Sequence, residues 1–150
     1  MEAVIFIGIQ GSGKSTFYRE RFFTTHLRIN LDMLKTRHRE TILLEAALRA
    51  KQPFVVDNTN PTPEERARYI APAKAAGFRV VGYYFQSKIE DCRRRNEQRP
   101  AREVIPMPGL LGAYHRLSLP TPAEGFDRLE YVRIAPEGGF IVEVWSDEVR

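Results

Sequence analysis

Gly8-Ile9-Gln10-Gly11-Ser12-Gly13-Lys14-Ser15 places glycines, a lysine and a hydroxyl at the spacing of a loop that wraps phosphate. Glycines let the chain curl until successive N–H groups face phosphate oxygens, and the start of a following helix adds its positive dipole end. Lys14 is then placed to reach the β- and γ-phosphates of ATP, and the Ser15 hydroxyl to hold Mg²⁺. Thr16 supports the loop or the nucleotide. Such a loop predicts that a triphosphate binds, and leaves kinase, switch and ATPase open.

Two carboxylates follow at the ends of apolar runs. Asp32 could accept a proton from an attacking hydroxyl, although an aspartate just before a helical turn also serves as a cap. Asp57 closes a run of Phe54, Val55 and Val56, where a carboxylate can hold Mg²⁺ through water; Asn58, Thr59 and Asn60 could touch phosphate or acceptor. The same cluster could equally be a turn leading into a helix. Arg93, Arg94, Arg95, Arg99 and Arg102 fall in or just after one basic stretch. Such a run is commonly a solvated face, yet an arginine on a lid can close over a transferring phosphoryl group, and Arg99 is best placed for that. His26, His38 and His115 have no metal-ligand spacing, and Cys92 fits a packed, inert thiol.

These groups need elements to hold them. Residues 3–7 are continuously apolar and rich in β-branched types, as a strand buried on both faces requires. Helices are expected over 14–23, 39–50 and 88–98, and strands over 27–30, 54–56 and 78–85. Asp32 reads as the N-cap of a short turn. Thr62, Pro63 and Glu65 read as a capping box opening a helix to Gly77, with a kink or early end at Pro72. Residues 100–108 look irregular, 109–116 helical, and 131–134 with 140–145 form a hairpin about Pro136-Glu137-Gly138-Gly139. Phe17, Tyr18, Phe22 and Phe23 read as core. Strands alternating with helices give an α/β layered fold with a mainly parallel sheet, and ligands then bind at the carboxyl ends of the strands.

The 150 residues suit one domain with its own core. A formal charge of +4, with 18 of 23 basic residues arginine, is compatible with handling phosphates or nucleic acid. A single cysteine and the lack of a long apolar stretch argue for a cytoplasmic protein without an internal disulfide or a membrane span.

Taken in order, the phosphate loop, Ile29-Asn30-Leu31-Asp32, Val55-Val56-Asp57-Asn58-Thr59-Asn60-Pro61, Arg95-Asn96 to Arg99, and Pro120-Thr121-Pro122-Ala123-Glu124-Gly125-Phe126 resemble the kinase domain of P-loop polynucleotide 5′-hydroxyl kinases. The resemblance implies a three-layer kinase-like fold with a helical lid over 88–116 and a C-terminal β-hairpin. It implies transfer of the γ-phosphate of ATP to the 5′-hydroxyl of a nucleic acid, with Asp32 as general base and Arg99 as lid arginine. Lys35 stands where some members carry an acceptor-binding arginine, keeping charge but not the bidentate fork. No Asp-x-Asp nucleophile pattern of a phosphatase is present, so kinase activity alone is expected. A small-molecule kinase on the same scaffold and a nucleotide-binding switch remain alternatives.

Overall fold

The computed structural model describes residues 1–147. At its centre β1 (Glu2–Ile7) is buried on both faces: Val4 and Phe6 point one way, Ala3, Ile5 and Ile7 the other. Beside it lie β2 (Leu27–Ile29), β3 (Phe54–Val56), β4 (Arg79–Phe85), β5 (Arg128–Ile134) and β6 (Phe140–Val144), in the order β2-β3-β1-β4-β5-β6. Neighbours pair in parallel except β5 and β6, which form the antiparallel hairpin. From β1 the chain crosses to the edge at β2, returns inward at β3 and then continues outward on the other side through β4, β5 and β6. The change of side falls at β1, at whose carboxyl end such folds form their crevice.

Helices cover both faces. α3 (Arg37–Ala50) and α4 (Pro63–Ala75) pack on one, through Leu44, Ala47, Tyr69, Ile70 and Ala73. α1 (Lys14–Arg21) covers the other, where Phe6, Phe17, Phe22, Tyr83 and Phe85 meet with ring centroids 4.9–6.0 Å apart. α1 stops two residues short of expectation, and Phe23 is 69% exposed rather than core. α2 (Leu31–Leu34) is the short turn, and α5 (Ile89–Glu97) with α6 (Met107–Arg116) forms the lid. A small core of Ile9, Cys92, Leu110 and Ala113 fixes that lid to the phosphate loop. Asn96 clamps the lid's connecting segment through paired bonds to the Ile105 backbone.

Three local expectations change. Asp32 is not the cap of α2: Asn30 accepts the Met33 N–H at 2.9 Å, and Asp32 lies inside the first turn. α4 runs through Pro72 without an early end, because the proline falls near the last turn, where little ladder remains to lose. Only half of the expected capping box forms, since Thr62 accepts from the Glu65 N–H while the Glu65 carboxylate turns to Arg116. A complete box appears instead at Thr121 and Glu124.

Candidate active site

A cavity of about 660 Å³ opens at the carboxyl ends of β1, β2 and β3. Its floor is the phosphate loop. Gly11 and Gly13 take φ of 82° and 101°, values that L side chains rarely adopt, and a Cβ on Gly11 would come within 2.3 Å of the Cys92 carbonyl oxygen on the lid. Gly13 is the N-cap of α1 and offers no side chain, so the helix's first N–H groups face the cavity. Gln10 Oε1 and Ser12 Oγ are buried in this loop with no hydrogen-bond partner among the described residues.

Lys14 is 9% exposed, and its ammonium donates to the carbonyl oxygens of Gly8 (2.9 Å) and Ile9 (3.0 Å). Burial holds its pKa below the ordinary lysine value, against the opposing pull of Asp57, while Arg99 adds to the lowering. Ser15 donates to Asp57 Oδ2 at 3.0 Å, and Asp57 is 2% exposed. A hydroxyl and a carboxylate side by side are the hard oxygen donors that Mg²⁺ takes when phosphates and waters complete its shell, so these two residues fit that ion. Sequence reasoning missed their third partner, Arg28, which donates to both.

Asp32 lines the same cavity, exposed, and its carboxylate makes no hydrogen bond among the described residues. Its backbone is held firmly. Asn30 caps the turn and donates to the Asp57 carbonyl, and the Leu31 N–H donates to Asn58 Oδ1 at 2.8 Å. The Asn58 amide in turn donates to Glu40 (3.1 Å) and to the Tyr69 hydroxyl (3.2 Å), a buried group that also receives Arg37. Asn60, at φ 46°, donates to the Phe6 carbonyl at 2.8 Å. Asn58 and Asn60 line the cavity, with their amides also engaged as braces of the fold. Thr59 also lines it, while its carbonyl receives the Gly8 N–H.

Lys35 stands apart from these residues. It ends α2 at φ 75° with its side chain exposed and outside the cavity lining. Arg37, two residues on, lines the cavity, as does Arg116 from the end of α6, paired with Glu65 at 2.6 Å. Their element ends reach one cavity only after folding, and no local pattern announces that.

The lid arginines divide as the sequence allowed. Arg93 and Arg94 pair with carboxylates on their own helix, a solvated face. Arg99 lines the cavity, half-buried, without an ion pair or hydrogen bond among the described residues. Arg95 was not singled out, yet its Nε donates to the Gly11 carbonyl at 2.6 Å. Arg95 lies in the last turn of α5 and Arg99 just past its end, so both reach the same cavity. The Glu124 of the Pro-to-Phe segment acts at a distance: with Ser118 and Asn60 carbonyls it satisfies Arg66, which is fully buried.

A parallel sheet parted at a phosphate loop, with a buried magnesium-type carboxylate and an arginine-bearing lid, defines a P-loop kinase-like domain. A family model described as an AAA domain matches residues 4–109, and the chain belongs to that family. Over 135 residues it is 32% identical to the bifunctional polynucleotide phosphatase/kinase of Schizosaccharomyces pombe, a match over 87% of this chain and 33% of that one. The chain thus spans about a third of the curated relatives it matches. Among solved structures, Kti12 of Chaetomium thermophilum in complex with ADP-AlF3 superposes with a TM-score of 0.67 at 17% identity, over 87% of this chain and 88% of that one. A gluconokinase from Sinorhizobium meliloti 1021 does so at 0.62 and 17%, over 87% and 81%. No helix among the described residues is long and apolar enough to cross a membrane.

Proposed function

We propose that this domain transfers the γ-phosphate of ATP to a hydroxyl, namely the 5′-hydroxyl of a polynucleotide. The observation that carries the reading is one cavity lined by Lys14, by an Asp32 carboxylate with no hydrogen bond among the described residues, and by Arg37 and Arg116. Asp32 accepts the proton of the acceptor hydroxyl as its oxygen bonds to the γ-phosphorus and the bond to the β-phosphate bridging oxygen breaks, releasing ADP. Lys14 moves from loop carbonyls to phosphate oxygens, and Arg99 and Arg95 offer guanidinium charge to the spreading negative charge. Ser15, and Asp57 through water, would hold Mg²⁺, which neutralises the β- and γ-oxygens.

Arg37 and Arg116 support an anionic acceptor, since two forked guanidinium groups match the oxygens of the phosphodiester that follows a 5′-terminal nucleoside. Asn58, Thr59 and Asn60 line the same cavity and are further acceptor-side candidates. The name of the S. pombe relative points the same way, whereas the gluconokinase shares only the fold. A small neutral acceptor needs neither arginine. A switch needs no base, and Asp32 has no capping duty that would account for it.

Ionic strength tests the acceptor. If both arginines meet phosphate, the logarithm of affinity for a 5′-hydroxyl oligonucleotide falls against the logarithm of salt with a slope of about −1.4, and Arg37→Gln or Arg116→Gln flattens it by about 0.7. A slope near zero in the unsubstituted protein would exclude the polynucleotide reading.

A further inference from the structure

Arg28 sits at the middle of β2, where strand alternation sends Leu27 and Ile29 toward the α3–α4 face and Arg28 toward α1. Its guanidinium reaches the pair that fits magnesium. Nε donates to Asp57 Oδ2 at 2.9 Å, Nη2 lies 2.8 Å from the same oxygen, and Nη2 donates to Ser15 Oγ at 3.1 Å. The Tyr18 ring lies 5.9 Å from the guanidinium carbon, and the Tyr18 hydroxyl is itself tied to the His26 carbonyl at 2.6 Å. Ser15 therefore donates to Asp57 and accepts from Arg28, which leaves its hydroxyl one further lone pair. Asp57 Oδ1 makes no hydrogen bond among the described residues.

We propose that Arg28 is a positioning residue for the cation site: it is the standing counter-charge of Asp57, and it makes capture of a divalent cation depend on arrival with the triphosphate. A carboxylate as buried as Asp57 needs a paired charge, and Arg28 supplies one that cannot be deprotonated. A free divalent ion approaching Ser15 and Asp57 thus meets a neutralised carboxylate and an adjacent permanent cation, and is repelled. The polyphosphate reverses that balance by adding negative charge and oxygen ligands together. One carboxylate oxygen and the hydroxyl stay fixed by Arg28 throughout, while Oδ1 and the remaining lone pair face the incoming group. The inference rests on the magnesium reading of Ser15 and Asp57 and is independent of the acceptor.

The test is Mn²⁺ binding to the full chain, followed by the spin-resonance signal of free Mn²⁺ with and without ATP. The unsubstituted protein should bind Mn²⁺ weakly alone and strongly with ATP. Arg28→Gln should tighten nucleotide-free Mn²⁺ binding by about tenfold, the scale of one removed neighbouring charge, and Arg28→Lys should restore weak binding. An Arg28→Gln protein, folded by its thermal melt, with unchanged nucleotide-free affinity would overturn the proposal alone. Should that variant not fold, the unsubstituted protein still decides, since Mn²⁺ bound as tightly without ATP as with it would also overturn it. Binding indifferent to Asp57→Asn would overturn the proposal together with the magnesium reading.

Discussion

In the proposed reaction Asp32 is the base and Lys14 meets the phosphates, and each role has a consequence that can be measured separately from the other. Because Asn30 rather than Asp32 caps α2, Asp32→Asn should leave stability within about 0.5 kcal/mol. The loss of a positioned base should lower turnover by roughly 10²- to 10⁴-fold. A parallel melt and single-turnover assay checks both, and near-normal turnover would remove Asp32 from the mechanism. Lys14 has a pKa below 10.5 because it is buried. Between its lowered folded value and 10.5, the unfolded chain binds a proton that the folded chain does not, so stability rises with pH across that window. Lys14→Met lacks this contribution. The difference in urea stability between unsubstituted protein and Lys14→Met should therefore grow in favour of the former as pH rises; a constant difference would show that burial does not penalise the ammonium.

Elements explain why some of the site is legible in the chain and some is not. The phosphate loop, β1 and the Asp57 strand end are local patterns: a buried parallel strand must be continuously apolar, and a glycine loop before a helix has few other uses. Arg28, Arg37 and Arg116 belong to three different elements, and no local spacing links them. Asp32 was ambiguous because aspartate caps helices as readily as asparagine, and only the Asn30–Met33 bond resolves which residue does so. The Pro-to-Phe segment, one of those that carry the resemblance, holds a structural tie, with Glu124 receiving Arg66 at 2.8 and 3.2 Å. Glu124→Ala would strand a fully buried guanidinium, at a cost of about 3–5 kcal/mol in a denaturation experiment. A loss below about 1 kcal/mol would mean that the Asn60 and Ser118 carbonyls suffice.

At the scale of the whole molecule, α1, the turn at α2 and the lid surround one cavity, so in the proposed reaction donor and acceptor share a single space. That continuity is what distinguishes a transferase from a nucleotide switch, which needs only the donor half. Direct transfer is the decisive measurement. The protein is incubated with ATP labelled at the γ-phosphate, Mg²⁺, a 5′-hydroxyl oligonucleotide, its 5′-phosphorylated twin, and neutral small alcohols. The account predicts label on the 5′-hydroxyl oligonucleotide alone, abolished by Asp32→Asn; label released only to water, or carried only by a small alcohol, would contradict it.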